Sequence, residues 1–232
     1  MGAGTALWGG FHSFFSIWQV CLVQISPFYM AFIVGLFLAT AGQKDNPTIG
    51  RWVGLPFLAY TVGFTVIYSI LISSGLNISK SLLYNISSLR VAAGVAILIA
   101  AMYILLIDRI CALRCKLSPM LLSALSLLIG LSFALIYAPC ITPTMSDIMS
   151  IASKPQTAVQ GWHLAVFYGI GICAAFGVTG MALILLLRRS NFVMQHTRLM
   201  KNICGVILLI PALLALTGTM RHFKAFFLGF MV

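Results

Sequence analysis

Long apolar runs separated by short polar or basic segments organise this chain. Six stretches reach the roughly 20 apolar residues that a bilayer-spanning helix needs. They cover about 14–41, 53–75, 89–107, 119–150, 161–187 and 202–220. The pattern predicts an all-α integral membrane protein of six transmembrane helices. The first and fourth stretches are long for one crossing, and both carry proline: Pro27 in the first, Pro139 and Pro143 in the fourth. Proline lacks a backbone donor and clashes with the preceding turn, so helices 1 and 4 are predicted to break there. Interrupted helices persist at membrane depth only where protein or a water-filled cavity satisfies the freed backbone groups. The breaks are therefore the first places to look for a site.

Composition supports the membrane reading. The 232 residues are 61% hydrophobic and 7% charged, with a mean hydropathy of +1.08, whereas soluble domains carry about 25% charged residues. The length suits a single transmembrane domain over 1–232. The net charge of +11 invites a nucleic-acid reading, but no soluble basic region exists to carry one. Excess Lys and Arg in such a chain act as topology signals. Segments following the first, third and fifth stretches hold Lys44 and Arg51, then Arg109, Arg114 and Lys116, then Arg188, Arg189, Arg198 and Lys201. The other side holds Lys80, Arg90, Lys154, Arg221 and Lys224. The more basic set is assigned to the cytoplasm, which places both termini outside. No Lys or Arg precedes Lys44, so the first stretch reads as a retained span rather than a cleaved leader. The sequons at Asn77 and Asn85 are expected in an outward loop.

The two halves echo each other, about 1–110 against about 117–232. Cys21 and Cys140 are each followed 21 residues later by glycine, Gly42 and Gly161. Tyr60-x-x-Gly63 matches Tyr168-x-x-Gly171, and Arg90 to Gly94 matches Lys201 to Gly205. Three spans per half is an odd number, so the second half is inverted relative to the first. Inverted repeats place their working site near the midplane, at the repeat interface.

Six cysteines occur: Cys21, Cys111, Cys115, Cys140, Cys173 and Cys204. Cys173 and Cys204 read as small buried hydrophobes. Cys21 and Cys140 are distinguished by their prolines. Thiol–disulfide exchange needs a thiolate, an open line of attack and a partner sulfur. Helix N-termini favour the thiolate and apolar surroundings oppose it; a proline break supplies a new helix end inside a span. A disulfide further requires Cα atoms within roughly 7 Å, which repeat symmetry makes feasible.

The run Cys21-Leu22-Val23-Gln24-Ile25-Ser26-Pro27-Phe28-Tyr29-Met30-Ala31-Phe32-Ile33-Val34-Gly35 resembles the first-span signature of the CcdA family, related to the transmembrane domain of DsbD. Ala138-Pro139-Cys140-Ile141-Thr142-Pro143 is similar to that family's fourth-span motif. The resemblance covers nearly the whole chain. It departs at Val20 and Gln24, where the family has proline, and at Thr142, where glycine is common. It implies that Cys21 and Cys140 form a redox-active pair needing no cofactor. It also implies passage of reducing equivalents from cytoplasmic thioredoxin to outward-facing thioredoxin-like proteins or an apocytochrome c pathway. The location so implied is the plasma (inner) membrane of a prokaryote.

Cys111 and Cys115 flank Arg114 and offer auxiliary thiols. Asp147, seven residues after Cys140, would share its helical face and relay protons, or else lie at a helix end among headgroups. A soft-metal transporter for mercury or copper, using the same cysteines as ligands, is the alternative reading. The 11 methionines are scattered, which favours packing over copper binding.

Overall fold

A helix that is apolar on every face has only two stable environments, a protein core or lipid, and this chain uses both. The computed structural model describes residues 2–15, 20–41, 50–73, 79–107, 118–136, 143–190, 195–219, 222–223 and 226. These residues are helical, without strands. Helix α1 spans Ala3–Phe15 and α2 spans Val20–Ala41. A π-wound turn, Gly50–Gly54, leads into α3, Leu55–Ser73. There follow α4 (Ser79–Leu106), α5 (Pro119–Ile136), α6 (Pro143–Ala152), α7 (Ala158–Arg189) and α8 (Thr197–Thr217).

Five segments among the described residues are long and apolar enough to cross a membrane: Trp52–Ser73, Ser88–Leu106, Pro119–Ile136, Ala158–Arg189 and Thr197–Thr217. The described apolar part of α2, Ser26–Ala39, is shorter. This is a multi-pass membrane protein. Helix α7 shows how the sequence partitions. It buries Gly161, Ala165, Tyr168, Gly169, Ile172, Phe176 and Gly180 along one stripe. It exposes Val159, Ile170, Val178, Leu185 and Leu186 on the other. Small residues turned inward let helices approach closely where lipid offers no hydrophobic drive for association.

Two crossings carry that principle to contact between backbones. Where α1 meets α7, a Cβ at Gly10 would collide with the Tyr168 carbonyl, and a Cβ at Gly171 with the Leu7 carbonyl. Where α3 meets α5, a Cβ at Gly63 would lie 2.5 Å from the Leu127 carbonyl, and one at Gly130 would strike the Tyr60 carbonyl. Each crossing thus sets a Leu-x-x-Gly on one helix against a Tyr-x-x-Gly on the other. Around them α4 packs on α8 and on α5, α2 packs on α8, and α3 packs on α7.

Several expectations change. Helix α2 runs through Pro27 without a break; the loss of one backbone bond is tolerated, as it commonly is when neighbouring helices support a membrane helix. Residues 16–19, between α1 and α2, lie outside the described set. In the fourth stretch the described helices are α5 and α6; residues 137–142 between them, where a break at Pro139 is expected, lie outside the described set. Asn85 lies within α4 rather than in a loop, because that helix begins at Ser79, and Asn77 falls outside the described residues. Lys201 belongs to α8, not to a connecting loop, and is only 1% exposed.

Candidate functional site

The two cysteines singled out by sequence occupy related places in the chain. Cys21 is the second residue of α2. Cys140 stands three residues before Pro143, the first residue of α6, and itself lies outside the described residues. Pro139, Cys111 and Cys115 also lie outside them. Proline suits a first helical turn, where its missing N–H would be unpaired anyway; Pro143 is placed that way.

Helices α1 and α6 are drawn together through buried side chains. A Cβ at Gly9 of α1 would lie 2.6 Å from the Thr144 methyl of α6, so the two helices touch. Ser13, in the last turn of α1, donates to the Gly9 carbonyl at 2.6 Å. With its own proton so used, Ser13 Oγ accepts from the Tyr168 hydroxyl at 3.0 Å. The Tyr168 ring stacks on Tyr68, with centroids 6.2 Å apart and planes 11° from parallel. Tyr68 in turn donates its hydroxyl to Met145 Sδ of α6 at 3.7 Å. The chain of contacts Ser13–Tyr168–Tyr68–Met145 thereby links α1 to α6.

An aromatic file continues this cluster into the bundle. Tyr60, Phe64 and Tyr68 repeat every four residues on α3, hence share a face. Tyr60 and Phe64 have centroids 6.0 Å apart, Phe64 and Tyr68 5.1 Å apart. Tyr29 of α2 closes on Tyr60 at 4.7 Å and on Phe176 of α7 at 4.5 Å. This file is not evident from the apolar pattern, in which the scattered methionines read as packing and Tyr168 only as part of an echo. The four-residue spacing of Tyr60, Phe64 and Tyr68 in an apolar stretch was the signal that could have found it.

Helix α6 differs from its neighbours on its outer face. It buries Met145, Ile148 and Ala152 but exposes Ser146, Asp147 and Ser150. At 10 residues it spans only ~15 Å at 1.5 Å per residue, too short to cross a bilayer. A polar outer face suits water rather than lipid, and Asp147 belongs to it. Because α6 starts at Pro143, the shared helical face expected for Cys140 and Asp147 has no continuous described helix behind it. Cys173 and Cys204, read as packing residues, are both buried. Among the described residues no three His, Cys, Asp or Glu side chains converge as metal ligands would.

The chain is similar to a Haemophilus influenzae protein named "Putative cytochrome c-type biogenesis protein". Identity is 23% over 221 residues, covering 93% of this chain and 95% of that relative. No family model matches the sequence. No solved structure matches it.

Proposed function

We propose that this chain is a transmembrane thiol–disulfide carrier, with Cys21 and Cys140 as its exchanging pair and a role in cytochrome c maturation. The observation that carries the reading is the contact chain through Ser13, Tyr168, Tyr68 and Met145, which joins helices that adjoin Cys21 and Cys140 in sequence. The name of the Haemophilus relative supports the cytochrome c context.

In this reading a thiolate of reduced cytoplasmic thioredoxin attacks one sulfur of a Cys21–Cys140 disulfide. The S–S bond breaks and a mixed disulfide forms. The second thioredoxin thiol then displaces the carrier sulfur, leaving oxidised thioredoxin and a Cys21/Cys140 dithiol that has gained two electrons and two protons. The dithiol passes both to the disulfide of an outward-facing thioredoxin-like protein by the same exchange. Such a cycle needs access from both sides of the membrane. The inverted repeat of two three-span halves, with both termini outside, supplies it. The architecture is supported by the paired crossings, in which the first helix of each half meets the Tyr-x-x-Gly helix of the other. The exposed side of α6 offers Asp147 as a proton donor or acceptor for the exchange.

The test is thiol trapping of the purified chain after reduced thioredoxin, in wild type, Cys21→Ser and Cys140→Ser. The wild type should convert from disulfide to dithiol, and each variant should trap a mixed disulfide or none. A wild type that never forms the Cys21–Cys140 disulfide, or that thioredoxin cannot reduce, rejects the proposal. Tight mercury or copper binding lost in the same variants would instead indicate a soft-metal site.

A further inference from the structure

Charge is distributed unevenly along α7. Its 32 residues extend ~48 Å at 1.5 Å per residue. A bilayer with its headgroups measures about 40–45 Å, so both ends of the helix reach the headgroup layer. The last turn holds Arg188 and Arg189, both exposed. One turn earlier, Leu185 and Leu186 are 55% and 68% exposed, as leucines facing acyl chains are. Helix α8 starts on the same side of the membrane. The link between the two helices, 190–196, spans at most ~25 Å, less than the ~30 Å hydrocarbon layer. Arg198, the second residue of α8, is exposed. It heads an exposed apolar stripe of Leu199, Ile203, Val206 and Ile210, spaced by three or four residues as one helical face requires. Three guanidinium groups thus stand where hydrocarbon gives way to headgroups.

Among the described residues nothing supplies their counter-charge. The one acidic side chain there, Asp147, belongs to α6. That helix meets the opposite end of α7, where Ala152 touches Gly161. Residues 148–232 contain no Asp or Glu at all. Helix dipoles account for only part of the pattern. Arg188 and Arg189 suit the C-terminus of α7, where a cation is stabilised, but Arg198 occupies the first turn of α8, the end that favours an anion. A cation so placed is disfavoured by the helix end and by its two basic neighbours unless an anion lies among them. The membrane holds one at that depth, the lipid phosphate, and basic clusters at the ends of membrane helices recognise it. The planar guanidinium fork matches phosphate oxygens two at a time.

We propose that Arg188, Arg189 and Arg198 form a docking site for the phosphodiester headgroup of an anionic phospholipid. Its acyl chains lie along Leu185 and Leu186 of α7 and Leu199 and Ile203 of α8. A zwitterionic lipid brings its own cation to the same place and is held less well. The site goes beyond the carrier reading and stands without it, since it contains neither Cys21 nor Cys140 and no exchange step passes through it.

The test uses the full chain in phosphatidylcholine nanodiscs and reads the fraction of a spin-labelled lipid immobilised at the protein. The wild type should bind labelled phosphatidylglycerol more tightly than labelled phosphatidylcholine. Arg188→Gln, Arg189→Gln and Arg198→Gln should each weaken phosphatidylglycerol binding about fivefold, the factor for one basic residue at an anionic surface, and leave phosphatidylcholine binding unchanged. The triple Gln variant should lose the preference; the single variants decide the matter should the triple fail to fold. A control with Lys154→Gln, Arg221→Gln and Lys224→Gln removes the same charge from other segments and should keep the preference. A wild type without preference, or equal losses in the two triple variants, overturns the proposal. So does displacement of the labelled phosphatidylglycerol by soluble glycerol phosphate, which would mark a free-phosphate site. Lipid binding that survives in the arginine variants while an acidic soluble protein no longer binds them would overturn it in favour of a protein partner.

Discussion

Tyr168 presents its backbone carbonyl to Gly10 so closely that any side chain at that glycine would overlap the oxygen. The same α7 segment receives the Leu7 carbonyl at Gly171. Gly171→Ala and Gly130→Ala should each force a crossing apart and cost about 1–3 kcal/mol, as overpacking does elsewhere. Gly4, with nothing within 4 Å of its built Cβ, is the control: Gly4→Ala should be neutral or slightly stabilising, since alanine is the better helix former. Thermal melts in detergent check all three, and comparable losses at Gly171 and Gly130 would fit matched crossings.

The Ser13–Tyr168 contact should behave as a genuine coupling. Tyr168→Phe and Ser13→Ala should each cost about 0.5–1.5 kcal/mol, the net value of an ordinary hydrogen bond. A double-mutant cycle should find the pair non-additive. Additive losses would mean that the 3.0 Å contact contributes nothing of its own.

The short connection between α6 and α7 fixes the helix that follows Cys140. Thr157 donates its hydroxyl to the Ile151 carbonyl at 2.7 Å, and a Cβ at Gly161 would lie 2.5 Å from the Ala152 Cα. Gly161→Val should therefore displace α6 and alter the rate at which Cys140 reacts with a maleimide, while the helical content by circular dichroism holds. An unchanged rate would show that the α6–α7 contact does not govern Cys140.

Of the cysteines in the described helices, Cys173 and Cys204 are buried. Cys173→Ala and Cys204→Ala should leave thioredoxin-driven reduction of the chain within about twofold of wild type while lowering its melting temperature, because the change opens a small cavity. Loss of reduction in either would bring that thiol into the exchange.

Much of the architecture was readable from the apolar runs, because each spanning helix must advertise its length in hydrophobic residues. The Tyr-x-x-Gly echo was readable too, and both copies prove to sit at close crossings. Their partners, Leu7-x-x-Gly10 and Leu127-x-x-Gly130, were hidden: with 20 glycines in the chain, only geometry distinguishes those that touch a carbonyl. Pro27 misled for a physical reason, since a membrane helix can absorb a proline that a soluble one would not. Lys201 misled because a charge near a span boundary looks the same in sequence whether it faces water or the bundle. The cysteine pair drew attention through its neighbours alone; Cys140 lies outside the described residues and only the backbone of Cys21 within them.

The reciprocal crossings also constrain how the chain is made. Residues 3–15 are synthesised before α7, yet their docking surface on that helix includes Gly171. Helix α1 must wait through the synthesis of some 160 further residues before its partner exists, and α3 must likewise await Gly130. The halves are interlocked like clasped hands, so neither should persist when expressed alone. Two fragments split between α4 and α5 should become protease-resistant only when produced together.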